Sequence, residues 1–337
     1  CAAAIVVGVN LILHPHHLDL LREWGLTAQP GPSAGPVAFS ADAAGWVPGE
    51  AVGALILRPA EAAITNGDRA LALIEASHHG HAGGGGRFEA PCVEAMVDSI
   101  ETLIDRSGHS REDVGYIECA AAGAAMFDTA EIEAISRVFD GCDTVMPIGT
   151  TKSALGHAEA ASGIAQLVKT IAQFQQQRLL PTPKPHELNP MVPWDHLPIR
   201  LVHQSEPNDP AKPLTLIHGF SAGGAFAHLA LSAPPPGAGR GRHIRSSNPR
   251  AVVWSAGSRE KLLESLANFR QWLASNPAAT VDDVAYTTQR SRSSQPWRWG
   301  CVATDAADVH RRLTDPAVAD QVVRSARRRP TPAGDLP

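Results

Sequence analysis

The sequence predicts an α/β protein with a mixed sheet, followed by a second, smaller α/β domain. Short apolar runs alternate with helical patterns through residues 1–233, as strands and crossover helices do in α/β proteins. A basic segment rich in Pro and Gly at residues 234–248 has the composition of a linker and separates the two regions. With 44% hydrophobic and 19% charged residues among 337, the chain has the composition and length of a globular protein of two domains.

The expected elements of residues 1–233 are apolar runs bounded by turn residues and segments with apolar residues at helical spacing. The expected strands cover residues 4–9, 52–57, 71–75, 114–118, 145–148, 199–202, 214–217 and 226–231. The expected helices cover residues 17–23, 91–104, 128–139 and 157–176, with a further helix through Glu61. No helical pattern separates the last three strands, so we expect them to close the sheet as antiparallel strands.

The second domain is expected at residues 249–315. Its expected strands cover residues 251–254 and 299–303, and its expected helices cover residues 258–272, 281–289 and 306–313. Ser258 is expected to cap the first helix, because a serine oxygen accepts hydrogen bonds from first-turn amides. Residues 316–337 combine clustered arginines with prolines and are expected to form a disordered basic tail.

Charge and cysteine usage argue against several classes of protein. The formal net charge of -5 argues against a general nucleic-acid binder. The longest apolar stretch, Cys1–Leu13, is too short to span a bilayer, so no membrane partner is expected. The 5 cysteines are scattered and form no C-x-x-C pair, which indicates a reducing cytoplasm. Because the chain starts without Met and enters an apolar strand at once, we expect it to be cut from a longer protein.

Two glycine-rich segments invite a functional interpretation. Residues 77–86 carry several histidines, but they lack the Lys of a P-loop and any Cys or carboxylate in metal-ligand spacing, so a surface loop is expected. The G-x-S-x-G pattern at Gly219–Gly223 could be a nucleophile elbow with Ser221 as the serine of a hydrolase. The alternative is a hairpin in which Gly223 and Gly224 adopt positive φ, since the residues that follow are compatible with a strand.

Residues 149–165 give a more specific signal. Small residues at Ala161, Gly163 and Ala165 leave a helix face that another backbone can approach closely. His157 falls at the expected start of this helix, where the dipole favours a neutral imidazole that can donate to a carbonyl.

Lys152 is one of few lysines in a chain that mostly uses arginine. Asp128 and Glu131, one helical turn apart on the preceding helix, are its expected partners if it is buried.

Four motifs occur together in a characteristic order and spacing. They are Gly8–Leu13 (GVNLIL), Ala38–Glu50 (AFSADAAGWVPGE), Lys152–His157 (KSALGH) and Gly223–His228 (GGAFAH). By these motifs, residues 1–233 resemble the C-terminal half of the ketosynthase (β-ketoacyl synthase) domain of a modular polyketide synthase. In that family the last two motifs read K-S-N-I-G-H and G-G-T-N-A-H. Residues 249–315 resemble the flanking domain of such modules. The resemblance implies part of a thiolase-like αβαβα layered sandwich.

The resemblance also implies roles for individual residues. In that family a Cys attacks an acyl thioester, two His assist decarboxylation of the extender unit, and a Lys orders the site. The matching positions are Lys152, His157, Asp128, Glu131, the aromatic Phe220 near the acyl channel, and Gly223 and Gly224 of the glycine-rich turn. Ala222 stands where a backbone N–H supplies half of the oxyanion hole, a role that requires no particular side chain.

Two departures from the family pattern predict impaired condensation. The first His belongs to E-A-H-G-T-G-T, which here reads ECAAAGA over residues 118–124, so Ala120 replaces it. The nucleophile belongs to D-T-A-C-S-S, and none of the 5 cysteines lies in such a motif. Loss of one preorganised donor costs about 10²- to 10³-fold in rate. We therefore expect a non-elongating ketosynthase region. The alternatives are a decayed ketosynthase that acts as a dimerisation and docking scaffold, and the Ser221 hydrolase.

The resemblance implies partners as well. They are an acyl carrier protein, whose phosphopantetheine carries the substrate, the upstream N-terminal half of the ketosynthase, and a second copy in a homodimer. It implies no cofactor or metal bound by this region.

Overall fold

The structure is a computed structural model that describes residues 1–27, 38–83, 91–121, 123–143, 145–221, 223–235, 249–290 and 292–324. It divides into two compact units, Cys1–Gly241 and Arg242–Pro337. The division falls within the segment expected to be a linker, of which residues 236–248 lie outside the described residues.

The first unit follows the expected α/β order. Its elements are β1 (Ala4–Asn10), α1 (Pro15–Glu23), β2 (Ala51–Leu57), α2 (Ala60–Asn66), β3 (Leu73–His81), α3 (Val93–Ser107), β4 (Val114–Glu118), α4 (Ala125–Val138), β5 (Met146–Gly149), α5 (Lys152–Leu155), α6 (Ser162–Gln176), β6 (Arg178–Leu179), β7 (Ile199–Leu201), β8 (Glu206–Pro207), β9 (Leu214–Phe220) and β10 (Ala225–Ser232).

A mixed sheet lies at the centre of this unit, as predicted. Its strand order is β3-β10-β9-β4-β5-β7. Strands β9, β4, β5 and β7 are parallel neighbours, whereas β10 runs antiparallel to both β9 and β3. The expectation of three closing antiparallel strands is therefore wrong for β7. The chain leaves β5 and returns through α6, and such a crossover brings it back in the parallel direction.

The core fixes the helix that carries the candidate acidic residues. Helices α3 and α4 bury apolar side chains at helical spacing, among them Met96, Ile100, Leu103, Ile132, Ile135 and Val138. These side chains belong to one cluster with Ile117, Ile148 and Leu216 of the sheet. The packing holds the first turns of α4 beside the loop that follows β4.

A second, two-stranded sheet is formed by β1 and β2, in which Gly8 is paired with Gly53. A Cβ at Gly8 would lie 2.6 Å from Cγ1 of Ile164, and a Cβ at Gly53 would lie 2.4 Å from its Cγ2. Another backbone was expected to approach the helix face formed by Ala161, Gly163 and Ala165. The backbone that does so is that of β1 and β2, and it approaches Ala161 and Ile164. A Cβ at Gly163 would contact no described atom within 4 Å.

Two sequence expectations require correction. Residues 77–81 belong to β3 rather than to a surface loop, because their backbone pairs with β10; residues 84–90 lie outside the described residues. The expected helix over residues 157–176 starts later than predicted: Glu159–Ala161 form a 3-10 turn in which Glu159 has a φ of +40°, and α6 begins at Ser162. A positive φ interrupts the helical path, although the residue types around it favour a helix.

The second unit has its own core. Its elements are β11 (Arg250–Ala256), α7 (Arg259–Ser275), α8 (Val281–Arg290), β12 (Trp297–Ala303), α9 (Ala306–Thr314) and β13 (Val323–Arg324). Ser258 caps α7 as predicted, with its Oγ accepting from the Lys261 amide at 3.2 Å. The segment expected to be a disordered tail is structured in its first part, because residues 316–319 form a 3-10 turn and β13 pairs with β12. Residues 325–337 lie outside the described residues.

No helix in the described ranges has the length and apolar character needed to cross a bilayer.

Candidate active site

The loops that follow β4 and β5 bring two predicted site positions together. Lys152 is buried at the start of α5, and its Nζ donates to the carbonyl oxygen of Ala120. Thr150 Oγ1 donates to the carbonyl of Ala121 at 3.1 Å. The carboxyl ends of neighbouring parallel strands form the usual edge for a site in such sheets.

The two acidic residues of α4 hold the backbone of the loop after β4. Glu131 is fully buried and accepts from the amides of Ala120 and Ala121, both at 2.9 Å. Asp128 accepts from the amides of Phe39 at 2.9 Å and Gly123 at 3.2 Å. These charge-assisted hydrogen bonds fix the loop at Ala120, the position where the resemblance implies a lost histidine.

Lys152 therefore has a backbone carbonyl as its hydrogen-bond acceptor rather than one of its expected carboxylate partners. Burial lowers the pKa of Lys152, and the negative charges of Glu131, Glu118 and Asp128 oppose this shift. The expected acidic residues thus act on the ammonium group through their charge.

His157 lies in the segment between α5 and α6. Its ring stacks on Trp46 at 4.5 Å between centroids, and its Nδ1 accepts from the amide of Glu159 at 2.9 Å. Burial, with the positive charge of Lys152 as a smaller cause, lowers the pKa of His157 to about 3. Because Nδ1 accepts a hydrogen bond, the neutral ring carries its proton on Nε2. Burial, rather than a helix dipole, favours the neutral form, and the expected position of His157 at a helix start is wrong, since α6 begins only at Ser162.

The backbone around His157 leaves no room for a side chain at Gly49. The Gly49 amide donates to the His157 carbonyl at 3.0 Å, and a Cβ at Gly49 would lie 2.4 Å from the Leu155 carbonyl oxygen. Gly49→Ala is expected to reduce the free energy of unfolding by about 1–3 kcal/mol, because backbone atoms must move. Gly163→Ala, the control in open space, should raise it by roughly 0.5–1 kcal/mol. Urea unfolding followed by near-UV circular dichroism measures both changes; equal effects of the two substitutions would contradict this packing.

The glycine-rich segment after β9 forms a hairpin. The Ser221 amide donates to the Ala225 carbonyl at 2.8 Å, the Gly224 amide donates to the Ser221 carbonyl at 3.0 Å, and β10 follows directly. Of Gly223 and Gly224, only Gly224 has a positive φ, at +89°. The strand-to-helix turn of a nucleophile elbow is absent at Ser221, whose Oγ accepts from the Gly223 amide at 3.2 Å. Ala222, the expected oxyanion position, lies outside the described residues.

Phe220 borders an apolar cavity of about 290 Å³ at this hairpin. The cavity is also lined by Phe127 and Phe226, and the rings of Phe127 and Phe220 meet edge to face at 6.1 Å. Aromatic walls and this volume suit an unbranched or short branched apolar group.

Sequence reasoning missed a buried ionic group that joins three elements. Glu118 at the end of β4 is fully buried, accepts from the Thr151 amide at 2.6 Å, and pairs with Lys169 of α6 at 2.7 Å. Tyr116 donates to the same carboxylate at 2.8 Å. The available signal was Lys169, another scarce lysine and the one charged residue of α6. The group fixes the start of the β5–α5 loop and therefore Lys152.

A row of histidines across the sheet was also missed. His218, His228 and His78 stand opposite one another on β9, β10 and β3. His218 Nδ1 lies 3.1 Å from Glu131 Oε1, and His228 Nε2 lies 3.1 Å from Ser99 Oγ. Burial, with the neighbouring histidines as smaller causes, lowers the pKa of His228 to about 2. The row connects the loop-holding Glu131 to the adjacent strands.

These contacts leave His157 Nε2 as the candidate donor to an oxygen that develops negative charge, with the charge of Lys152 close enough to act on its ring. The amides of Ala120 and Ala121 already donate to Glu131, and Lys152 donates to the Ala120 carbonyl, so these groups fix the loop. Among the described residues, no cluster of three His, Cys, Asp or Glu side chains could hold a metal ion.

Comparison with known families matches both units of the chain. Residues 1–63 match the β-ketoacyl synthase N-terminal domain family, and residues 71–185 match the β-ketoacyl synthase C-terminal domain family. Residues 251–313 match the CurL-like polyketide synthase C-terminal family.

Curated relatives are polyketide synthases. Polyketide synthase PksR of Bacillus subtilis (strain 168) is 34% identical over 303 residues, which are 86% of this chain and 12% of PksR. Polyketide synthase ThaQ of Burkholderia thailandensis is 31% identical over 319 residues, or 89% of this chain and 15% of ThaQ. The chain therefore spans a small part of these relatives.

Solved ketosynthases have the same fold. The oxazolomycin ketosynthase domain OzmH KS7 of Streptomyces albus JA3453 superposes with a TM-score of 0.80 at 30% identity, covering 100% of this chain and 59% of that chain. The ketosynthase from module 6 of the bacillaene synthase of Bacillus subtilis 168 gives a TM-score of 0.78 at 25% identity, covering 96% of this chain and 57% of that chain. The partial thiolase-like fold expected from the motifs is thereby confirmed. The chain belongs to the β-ketoacyl synthase family and corresponds to part of the ketosynthase domain of a modular polyketide synthase.

Proposed function

We propose that the first unit supplies one half of a ketosynthase site that accepts an acyl group but does not extend it. The observation that carries this proposal is the loop after β4. Ala120 replaces the family histidine, yet Glu131, Asp128 and Lys152 still hold the loop backbone. A decayed loop would be free to lose these buried partners. Their retention supports a site that still needs a defined backbone at this position.

Acyl transfer requires fewer groups than condensation does. A cysteine thiolate of the N-terminal half attacks the carbonyl carbon of an acyl thioester, the carbonyl oxygen becomes an oxyanion, and the carrier thiolate leaves as the carbonyl re-forms. The backbone N–H of Ala222 is the proposed oxyanion donor in this step. The apolar cavity beside Phe220 is the proposed place for the acyl chain. None of these roles uses the missing histidine.

Condensation depends on the donors near Ala120. Loss of carbon dioxide from the extender thioester leaves an enolate, whose oxygen needs hydrogen-bond donors before its carbon attacks the acyl group. His157 Nε2 is one such donor, and the family supplies a second from position 120. With Ala120 only one imidazole remains, so we expect the acyl group to be held without extension.

The proposed partners follow from this chemistry. They are an acyl carrier protein that presents the acyl group on phosphopantetheine, the N-terminal half of the domain, and a second copy of the whole domain in a homodimer. The region itself is proposed to bind no cofactor and to work in the cytoplasm. A scaffold without acyl transfer is the second candidate, and the run of alanines at residues 120–122 favours it.

A rejoined protein tests the proposal. In it, this chain is fused behind an N-terminal ketosynthase segment that carries the D-T-A-C-S-S nucleophile. We expect an acyl thioester donor to add one acyl mass to the nucleophile, as seen by intact-mass and peptide mass spectrometry. The control replaces that nucleophile by Ala and should remain unmodified. A folded rejoined protein that never acquires the acyl group would support the scaffold instead. Acylation of Ser221 would support the hydrolase.

A further inference from the structure

The second unit contains a cavity with an unusual distribution of charge. It has a volume of about 630 Å³, within the range of about 300–1,000 Å³ that small-molecule sites occupy. Two guanidinium groups line it, those of Arg292 and Arg298, and none of its lining residues is acidic. No Asp or Glu occurs anywhere between residues 284 and 304, in a chain whose net charge is -5. The cavity is therefore a local positive region that attracts anions.

One wall of this cavity is held by hydrogen bonds. Ser255 Oγ on β11 donates to the Ser293 carbonyl at 3.2 Å and accepts from the Gln295 amide at 3.1 Å. The Gln295 carbonyl in turn accepts from Arg298 Nε at 3.1 Å. Because Nε is the anchored atom, the two terminal nitrogens of Arg298 remain as a fork of donors. A guanidinium fixed in this way loses little rotamer entropy when it binds an anion.

The other lining groups add donors and an apolar surface. Ser265, Thr288 and Ser294 are among the residues that line the cavity, together with the partly buried Trp254 and the buried Trp299. Both indole N–H groups already donate within the protein, to Ser265 Oγ at 2.8 Å and to Gln321 Oε1 at 3.3 Å. Trp254 therefore has carbon surface rather than an N–H to offer a ligand, and Trp299 is a buried neighbour of the cavity.

We propose that this cavity binds the phosphate group of a small organic phosphate. A phosphate ester has several terminal oxygens, enough to engage the Arg298 fork, Arg292 and the hydroxyls at once, whereas a carboxylate has two. The cavity is larger than inorganic phosphate alone, and the partly buried indole of Trp254 suits the organic part of the ligand. The proposal concerns the second unit by itself and does not depend on the acyl-transfer proposal.

The test uses the full chain and follows the indole N–H signals of Trp254 and Trp299 by nuclear magnetic resonance, assigned with Trp→Phe variants. The probes are inorganic phosphate, adenosine 5′-monophosphate with adenosine, and pantetheine 4′-phosphate with pantetheine. We expect these two signals to shift with inorganic phosphate and more strongly with at least one ester, and to stay unchanged with both phosphate-free partners. Raising the salt concentration should weaken binding. Signals unmoved by all three phosphates at millimolar concentration would overturn the proposal.

Charge-matched variants separate a site from general attraction. Arg298→Gln should weaken binding about tenfold, the equivalent of one charge-assisted hydrogen bond, and Arg298→Lys should fall between, because a point charge lacks the fork. Arg292→Gln should also weaken phosphate binding, and it leaves the hydrogen bonds that hold Arg298 intact. Arg290→Gln is the control, because Arg290 is exposed, lies in the same acid-free stretch and does not line the cavity. If Arg290→Gln and Arg298→Gln weakened phosphate binding equally, the binding would be non-specific electrostatic attraction, and the proposed site would be wrong.

Discussion

Acidification from pH 6.5 to about 4.5 should remove about 5 kcal/mol of the folding free energy of the first unit. The pKa of His157 is lowered to about 3 and that of His228 to about 2, from 6.5 for an unperturbed histidine. Below pH 6.5 these two histidines become protonated in the unfolded chain but stay neutral in the folded protein. Stability therefore falls with pH by about 1.4 kcal/mol per unit for each histidine, and for His157 the loss ends near its folded pKa.

Variants separate these histidines from other acid effects. His228→Gln should halve the pH dependence of the free energy of unfolding measured in urea between pH 6.5 and 4.5. The control is His79→Gln on the neighbouring strand, where the side chain is exposed to solvent. Its slope should match that of the unmodified protein. An unchanged slope in His228→Gln would mean that burial does not keep this imidazole neutral.

Ala120→His should raise decarboxylation of a malonyl thioester by the rejoined protein about 10²- to 10³-fold, because it restores one preorganised donor for the enolate oxygen. Acylation of the nucleophile should change little, since the donor proposed for that step is the Ala222 amide and not position 120. The loop backbone is already held by Glu131 and Lys152, so the new imidazole starts from a fixed Cα position. Carbon dioxide release and acyl-enzyme mass give the two rates separately.

Ala120→Leu is the matched control, because it fills similar space without an N–H donor. It should leave decarboxylation at the level of the unmodified rejoined protein. Equal gains in acylation and decarboxylation on Ala120→His would show that position 120 serves a different step. In this chain alone, Ala120→His should give no condensation, because no acyl-bearing cysteine is present in the nucleophile motif.

Local pattern was sufficient to locate most elements but not their pairing. The strands around Ile117 and Leu216 are apolar runs between turns, so their positions follow from burial alone. Strand β3 was placed too short because its second half is polar, and it is ordered by pairing with β10 at the edge of the sheet. The late start of α6 was missed because the backbone of His157 instead pairs with Val47 and Gly49, which are remote in sequence.

In the candidate site, too, residue identities could be predicted from the sequence but their contacts could not. The motifs identified Lys152, His157 and the substitution at Ala120, because residue type and spacing are properties of the chain. The bonds of Glu131 to loop amides and of Lys152 to a carbonyl depend on which backbone groups tertiary packing leaves unpaired. The histidine row needed the register of three strands, which one sequence does not contain.

The central claim is that this region supports acyl transfer without elongation. It is tested most directly by loading the rejoined protein with an acyl group and then adding a malonyl thioester. Product analysis by mass spectrometry should find the acyl group still on the nucleophile and no product lengthened by two carbons. Release of an extended β-ketoacyl product at a rate similar to that of the Ala120→His variant would contradict the claim.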